Sequence, residues 1–133
     1  MKKIEHIGIA VNDLASASII YEKLFGASAY KKEEVASEGV KTAFFRCGPN
    51  KIELLEATNP ESSIAKFIAK KGEGIHHIAF EVEDIHFEIS RLKKEGFVVL
   101  NEVPKKGADN KLVAFLHPNS TNGVLIELCQ EIQ

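Results

Sequence analysis

Two histidines, His6 and His77, and two glutamates, Glu53 and Glu127, are the residue types from which a metal centre or a proton-transfer site is built. Each histidine opens an alternating stretch. Ile7, Ile9 and Val11 fall on one face and His6, Gly8 and Ala10 on the other; likewise Ile78, Phe80 and Val82 oppose His77, Ala79 and Glu81. Period-two alternation of this kind marks a half-buried strand. In both strands the residue that follows the histidine on its own face is too small to block it. Glu53 stands between Ile52 and Leu54, and Glu127 between Ile126 and Leu128, so both carboxylates oppose apolar neighbours. Side chains of this set converging on one cleft suit Zn, Co, Ni, Mn or Fe(II), with octahedral geometry where water fills the remaining positions. Without a cation, two such buried carboxylates would hold protons instead.

The spacing of these residues is that of a duplication. His6 and His77, Val11 and Val82, Asp13 and Asp84, and Ala43-Phe44 and Ala114-Phe115 all stand 71 residues apart. Glu53 and Glu127 stand 74 apart, and the turn from Pro118 to Gly123 has room for the three extra residues. A register held across strands and a helix predicts a β-α-β-β-β unit used twice. The expected fold class is therefore α+β. Two tandem βαβββ modules, about 1–57 and 74–133, are joined by a linker helix within 58–73. They form a curled mixed sheet around a metal-binding cleft, in one domain spanning 1–133.

The elements that must position the site follow from local pattern. Lys3 to Val11 is the first strand, and Asn12 or Asp13 caps a helix whose Leu14, Ala17, Ile20, Tyr21 and Leu24 fall near helical spacing. Gly26 ends it. Ala29 to Val35, Val40 to Phe45 and Lys51 to Glu56 read as strands, with Gly39 and Cys47-Gly48-Pro49-Asn50 in turns. Ser62 or Ser63 caps a short helix with Ile64, Phe67 and Ile68 as its apolar stripe. Asp84 caps another, with Ile85, Ile89 and Leu92 inward and Gly96 at its end. Phe97 to Val103, Leu112 to Leu116 and Gly123 to Leu128 complete the strands. His76 lies on the strand face opposite His77 and reads as structural. His86 on a helix and His117 before Pro118 are weaker candidates, and Lys105-Lys106-Gly107 reads as a solvated loop.

Composition sets the class. A chain of 133 residues, 44% hydrophobic and 27% charged, is ordinary for a globular domain. A formal net charge of −2 gives no reason to expect nucleic acid or an anionic membrane as partner. No apolar run approaches the roughly 20 residues of a membrane helix, and no signal sequence is read at the start. Cys47 and Cys129 are too few and too isolated for a disulfide framework, so the expected location is the reducing cytoplasm.

The modules resemble those of the vicinal oxygen chelate superfamily. Within it the chain is similar to the methylmalonyl-CoA epimerases over nearly its whole length. The resemblance rests on His6-Ile7-Gly8-Ile9-Ala10, Ser63-Ile64-Ala65-Lys66-Phe67, His76-His77-Ile78-Ala79, Phe115-Leu116-His117-Pro118 and Gly123-Val124-Leu125-Ile126-Glu127-Leu128. It implies one divalent ion (Co, Mn, Zn or Ni) on His6, Glu53, His77 and Glu127. It also implies an acyl-CoA substrate and epimerisation of its α-carbon through a metal-stabilised enolate, with Glu127 as first choice for proton transfer and Glu53 as a suggested partner. A homodimer is expected. Some bacterial relatives carry a glutamate where this chain has Thr42, which leaves the second acid/base unassigned. A glyoxalase I-like lactoylglutathione lyase uses a similar ligand set. A non-catalytic small-molecule-binding member would lack the ligands and rely on an aromatic groove, whereas here only 8% of residues are aromatic.

Overall fold

The computed structural model describes residues 1–133. The chain divides into two compact units, one of His6–His76 and one of Met1–Glu5 with His77–Gln133. They are called the His6 unit and the His77 unit below.

The His6 unit holds most of β1 (Lys3–Ala10), then α1 (Leu14–Phe25), β2 (Lys31–Val35), β3 (Val40–Cys47), β4 (Asn50–Ala57) and α2 (Ser63–Lys71). Its strands run in the order β2-β3-β4-β1. β1 lies parallel to β4, and β3 is antiparallel to both of its neighbours, so the sheet is mixed. The His77 unit repeats the plan with β5 (Gly74–Glu81), α3 (Ile85–Lys94), β6 (Lys105–Lys106), β7 (Lys111–Leu116) and β8 (Ile126–Glu131), in the order β5-β8-β7-β6. Again the first strand is parallel to the last and β7 is antiparallel to β8 and β6. The tandem βαβββ reading and the α+β class hold.

Each crossover helix is fixed at its start in the same way. Glu56 Oε1 on β4 accepts the Leu14 N–H at 2.6 Å, and Gln130 Oε1 on β8 accepts the Ile85 N–H at 2.7 Å. An orphan donor of the first helical turn is thus satisfied from the strand that ends the module. Asp84 also caps α3 directly, accepting from the Phe87 N–H, whereas Asp13 accepts instead from the Ser16 hydroxyl. That hydroxyl holds the Asp13 carboxyl below its ordinary pKa.

The helices bury what the sequence assigns, with one exception. In α3, Ile85, Ile89 and Leu92 pack on Val82, Ala114, Leu116 and Leu128. In α1 the inward residues are Leu14, Ala17 and Ser18, with Tyr21 and Phe25 packed beside them on Ala43, Phe45 and Leu54. Ile20 and Leu24, expected in that stripe, are 63% and 67% exposed. The buried row runs 14, 17/18, 21 and 25, which places 20 and 24 well round the helix.

Two other expectations are corrected. Phe97 to Val103 is not a strand: only Val99 bridges to Leu116, and the Asn101 side chain takes the ladder's place. Its Oδ1 accepts the Phe115 N–H and its Nδ2 donates to the Val113 carbonyl. Lys105–Lys106, read as loop, forms the short β6 instead, an edge whose exposed lysines discourage further pairing. The last strand begins at Ile126 rather than Gly123, because Pro118 to Asn122 forms turns that hold the chain through the Thr121 side chain bonded to the Val124 carbonyl.

α2 packs on the face opposite α1. Ser62 caps it by accepting the Ala65 N–H, and Ile64, fully buried, lies on Ala10, Val40 and Leu55 with Phe67 and Ile68 beside it. No helix is long and apolar enough to cross a membrane. Truncating Ile64 to Ala should lower the unfolding free energy by about 2–5 kcal/mol. Ile20→Ala should change it by no more than about 0.5 kcal/mol. Urea unfolding of both variants checks the burial pattern; comparable losses would mean that the Ile20 face of α1 is covered.

Candidate metal centre

Period-two geometry puts the four candidate residues on the faces away from α1 and α3. In the His6 unit, Ile52 and Leu54 turn to the α1 side, so Glu53 turns the other way. In the His77 unit, Ile126 and Leu128 pack under α3 and Glu127 faces away from it. Register then brings each glutamate to its histidine. Glu53 on β4 lies beside Gly8 on β1, and Glu127 on β8 lies beside Ala79 on β5. Because that neighbouring residue is Gly or Ala, the carboxylate can lean toward the histidine two positions back.

Two pairs of near-identical geometry result. His6 Nε2 lies 3.2 Å from Glu53 Oε1, and His77 Nε2 lies 3.3 Å from Glu127 Oε1. All four residues are at most 6% exposed. Each imidazole also meets a phenylalanine edge to face: His6 with Phe44 and His77 with Phe115, both at 6.3 Å between ring centroids. Those phenylalanines sit directly opposite the glutamates on the antiparallel neighbour strands. Thus each ring plane is set by an aromatic wall and each ring nitrogen by a carboxylate. Sequence reading used Phe44 as a marker of the duplication and Phe115 as a marker of the duplication and of the family resemblance, neither as part of the site. Their place opposite Glu53 and Glu127 depends on strand register, which the spacing alone does not supply.

The donor chemistry fits a divalent ion. Nitrogen and oxygen ligands that sit about 2.0–2.2 Å from one ion are separated by roughly 2.8–3.6 Å at octahedral or tetrahedral angles, and both pairs fall in that range. His6, His77 and Glu127 are buried donors of the types a metal takes. A neutral imidazole and an ionised carboxylate are also the forms that bind one.

The remaining titratable candidates have other partners. The His76 ring packs edge to face on Phe67 at 5.0 Å, as a structural residue does. His117 Nδ1 accepts the Asn119 N–H and so caps the short turn at Pro118. His86 projects from α3, on the side of the sheet away from Glu127, beside an open cavity of about 360 Å³ shared with Lys93, Lys94 and Glu102. Cys129, two residues beyond Glu127 and fully buried, has its thiol pushed far up in pKa by burial and then by the charges of Glu127 and Glu5. It remains a protonated thiol and not a nucleophile.

Comparison with known proteins agrees with this geometry. Residues 5–115 match the model of the Glyoxalase/Bleomycin resistance protein/Dioxygenase superfamily. The ethylmalonyl-CoA/methylmalonyl-CoA epimerase of Cereibacter sphaeroides is 42% identical over 130 residues, covering 96% of this chain and 97% of that protein. The mitochondrial methylmalonyl-CoA epimerase of Dictyostelium discoideum is 40% identical, over 95% of this chain and 76% of that one. Among solved structures, a variant of the Streptomyces coelicolor methylmalonyl-CoA epimerase in complex with 2-nitronate-propionyl-CoA is 34% identical. It superposes with a TM-score of 0.95 over 98% of this chain and 95% of its own. Fold, duplicated His–Glu pairs and likeness over nearly the full chain lead to one conclusion: the chain belongs to the glyoxalase/bleomycin resistance/dioxygenase superfamily, and its relatives there include methylmalonyl-CoA epimerases.

Proposed function

We propose that this chain is a methylmalonyl-CoA epimerase that holds one divalent ion (Co, Mn, Zn or Ni) on His6, Glu53, His77 and Glu127. The observation that carries the reading is the repetition of one buried His–Glu pair in both units, at 3.2 and 3.3 Å. A single pair is an ordinary hydrogen-bonded core feature. We read two pairs at equivalent points of a duplication as the four donors of one site, and relatives at about 40% identity are named for a reaction such a site can perform. A fourth ligand also separates this set from the two-histidine, one-carboxylate triad of Fe(II) dioxygenases.

Epimerisation needs a proton removed from one face of the α-carbon and one returned to the other. A divalent ion on these donors supplies Lewis-acid chemistry, polarising the thioester carbonyl as negative charge builds on its oxygen. The protein's own groups do the rest. His6 and His77 hold their places through Phe44 and Phe115 and present their ring nitrogens beside Glu53 and Glu127. Glu127 Oε2 takes the α-proton while Oε1 stays at His77 Nε2. Glu53 is a holding group first and a proton-transfer partner second. We further assign the enzyme to the cytoplasm as a homodimer. The free thiols of Cys47 and Cys129 suit a reducing compartment, and the exposed Val98, Leu100 and Val103 suit a subunit contact.

His77→Ala should sharply reduce retained metal and the thermal stabilisation gained on adding it. Metal analysis by mass spectrometry that finds equal stoichiometry in wild type and variant puts the ion elsewhere. Exchange of the α-proton of methylmalonyl-CoA with deuterated solvent tests the reaction itself. Glutamine keeps a carbonyl oxygen to hold an ion but cannot accept the proton. Glu127→Gln at saturating metal should therefore lower exchange by roughly 10²-fold or more, and Glu53→Gln by clearly less. Equal losses would make Glu53 the partner acid/base, and an undiminished Glu127→Gln enzyme removes Glu127 from the chemistry.

A further inference from the structure

Two buried hydroxyls, those of Ser18 on α1 and Thr42 on β3, have no place in the fold's hydrogen bonding, and Thr42 is the one on the site-bearing sheet face. Thr42 on β3 is fully buried, and its Oγ1 has no hydrogen-bond partner among the protein's atoms. A buried hydroxyl left in that condition destabilises the folded state. The chain also carries its own control. The equivalent position in the second module, 71 residues on, is Val113, which packs among Ala79, Cys129 and Phe115. Valine has the shape of threonine with a methyl in place of the hydroxyl. The position therefore needs a branched side chain of this volume and has no structural need for the oxygen.

Strand register says what the oxygen faces. Thr42 stands opposite Leu55, and Phe44, two residues on, stands opposite Glu53. Thr42 and Glu53 thus share a sheet face as diagonal neighbours, about 7–8 Å apart at Cα. The Thr42 hydroxyl makes no direct hydrogen bond to Glu53, so a link between the two runs through a bridging water. On the same face, α2 covers Val40 and Leu55, so Thr42 is the last position before the His6–Glu53 pair.

The geometry points to Thr42 as a positioning residue for Glu53: its hydroxyl, through one bridging water, holds the carboxylate in the orientation that presents it to the ion. This rests on the reading in which Glu53 is a ligand. Carboxylates that bind metal depend on such outer hydrogen bonds, and losing one typically lowers affinity or activity about 10–100-fold. An unsatisfied hydroxyl that the fold can replace by valine is explained if Thr42 serves Glu53 at the expense of stability.

The test uses the full chain as Thr42→Val, Thr42→Ser and Thr42→Ala. Three quantities are read: the melting temperature without metal, the dissociation constant for Co(II), and kcat and KM for α-proton exchange of methylmalonyl-CoA. Thr42→Val should melt a few degrees higher without metal, because it installs what the chain already uses at 113. It should bind cobalt about 10-fold or more weakly and lose kcat in step. Thr42→Ser should return the cobalt constant to within about threefold of wild type. If Thr42→Val does not fold, the Ser and Ala variants give the same comparison, since only serine keeps the oxygen. Unchanged cobalt affinity and kcat in the hydroxyl-less variants overturn the proposal alone. So does a lower melting temperature for Thr42→Val, which would make the hydroxyl a structural anchor. A wild-type chain that binds no cobalt, nor any of the other divalent ions named, overturns the four-residue site and this inference with it. Wild-type binding without exchange overturns the epimerase reading and leaves the cobalt comparison to decide Thr42.

Discussion

The strands of both units are arranged so that a buried carboxylate can stand beside an imidazole. A glutamate in the middle of a strand loses most of its hydration, and the loss is tolerable only with a specific partner. The partner here is not on the antiparallel neighbour, where direct cross-strand pairing would be simplest. It lies on the parallel strand, two positions back from the residue alongside, and the carboxylate reaches it across Gly8 in one unit and Ala79 in the other. A larger side chain at either position would stand between glutamate and histidine. The antiparallel neighbour contributes a phenylalanine instead, Phe44 or Phe115. Polar reach and apolar wall therefore come from opposite sides of the same glutamate, and the βαβββ order supplies both. The crossover helix makes the first and last strands parallel neighbours, and the final hairpin places the third strand on the other side.

The duplication explains why the geometry recurs to within a tenth of an ångström in the His–Glu separation. It also separates what the fold requires from what the site requires. Helix starts are conserved in kind between the halves: Leu14 and Ile85 each give their N–H to a side chain from the end of the module's last strand. Glu56 in one case and Gln130 in the other do this equally well, because the task needs an oxygen acceptor and not a charge. At Thr42 and Val113 the shared property is shape alone.

Much of this was legible in the sequence because a strand's period is two and a single alternation fixes which residues share a face. The faces of His6, Glu53, His77 and Glu127 follow from that rule directly, and the inward rows of α2 and α3 from the 3.6-residue helical repeat. The misreadings arise where local pattern meets a tertiary choice. Ile20 and Leu24 are apolar and near helical spacing, yet the core row of α1 passes through Ser18 and Phe25, and only the packing against Phe45 and Leu54 reveals it. Phe97 to Val103 has strand-like composition, but Asn101 supplies both a donor and an acceptor to β7, so a side chain substitutes for a ladder. Pair geometry was not legible either. Alternation gives a face, while the distance between His6 and Glu53 depends on the offset between two strands, and no single strand records that offset.

Where the halves differ, the difference follows a neighbour. In the His6 unit, one end of the site-bearing face consists of Ala10, Val40, Leu55 and Ala57, and α2 lies on it through Ile64, Phe67 and Ile68. The duplicate positions in the His77 unit are Glu81, Lys111, Cys129 and Glu131. There the same lattice of sites carries mostly charges, with Lys111 directly opposite Glu131 as Val40 is opposite Ala57. An apolar quartet is stable only with a helix to bury it, since its exposure would forfeit roughly 25 cal/mol for each Å² left in water. The helix, in turn, is too short to persist on its own and depends on that quartet for its fold. One of two equivalent surfaces thus acquired a lid and apolar residues together. Its effect is local and directional: it closes the face up to Thr42, leaving Glu53 and His6 as the first polar groups beyond the helix's reach.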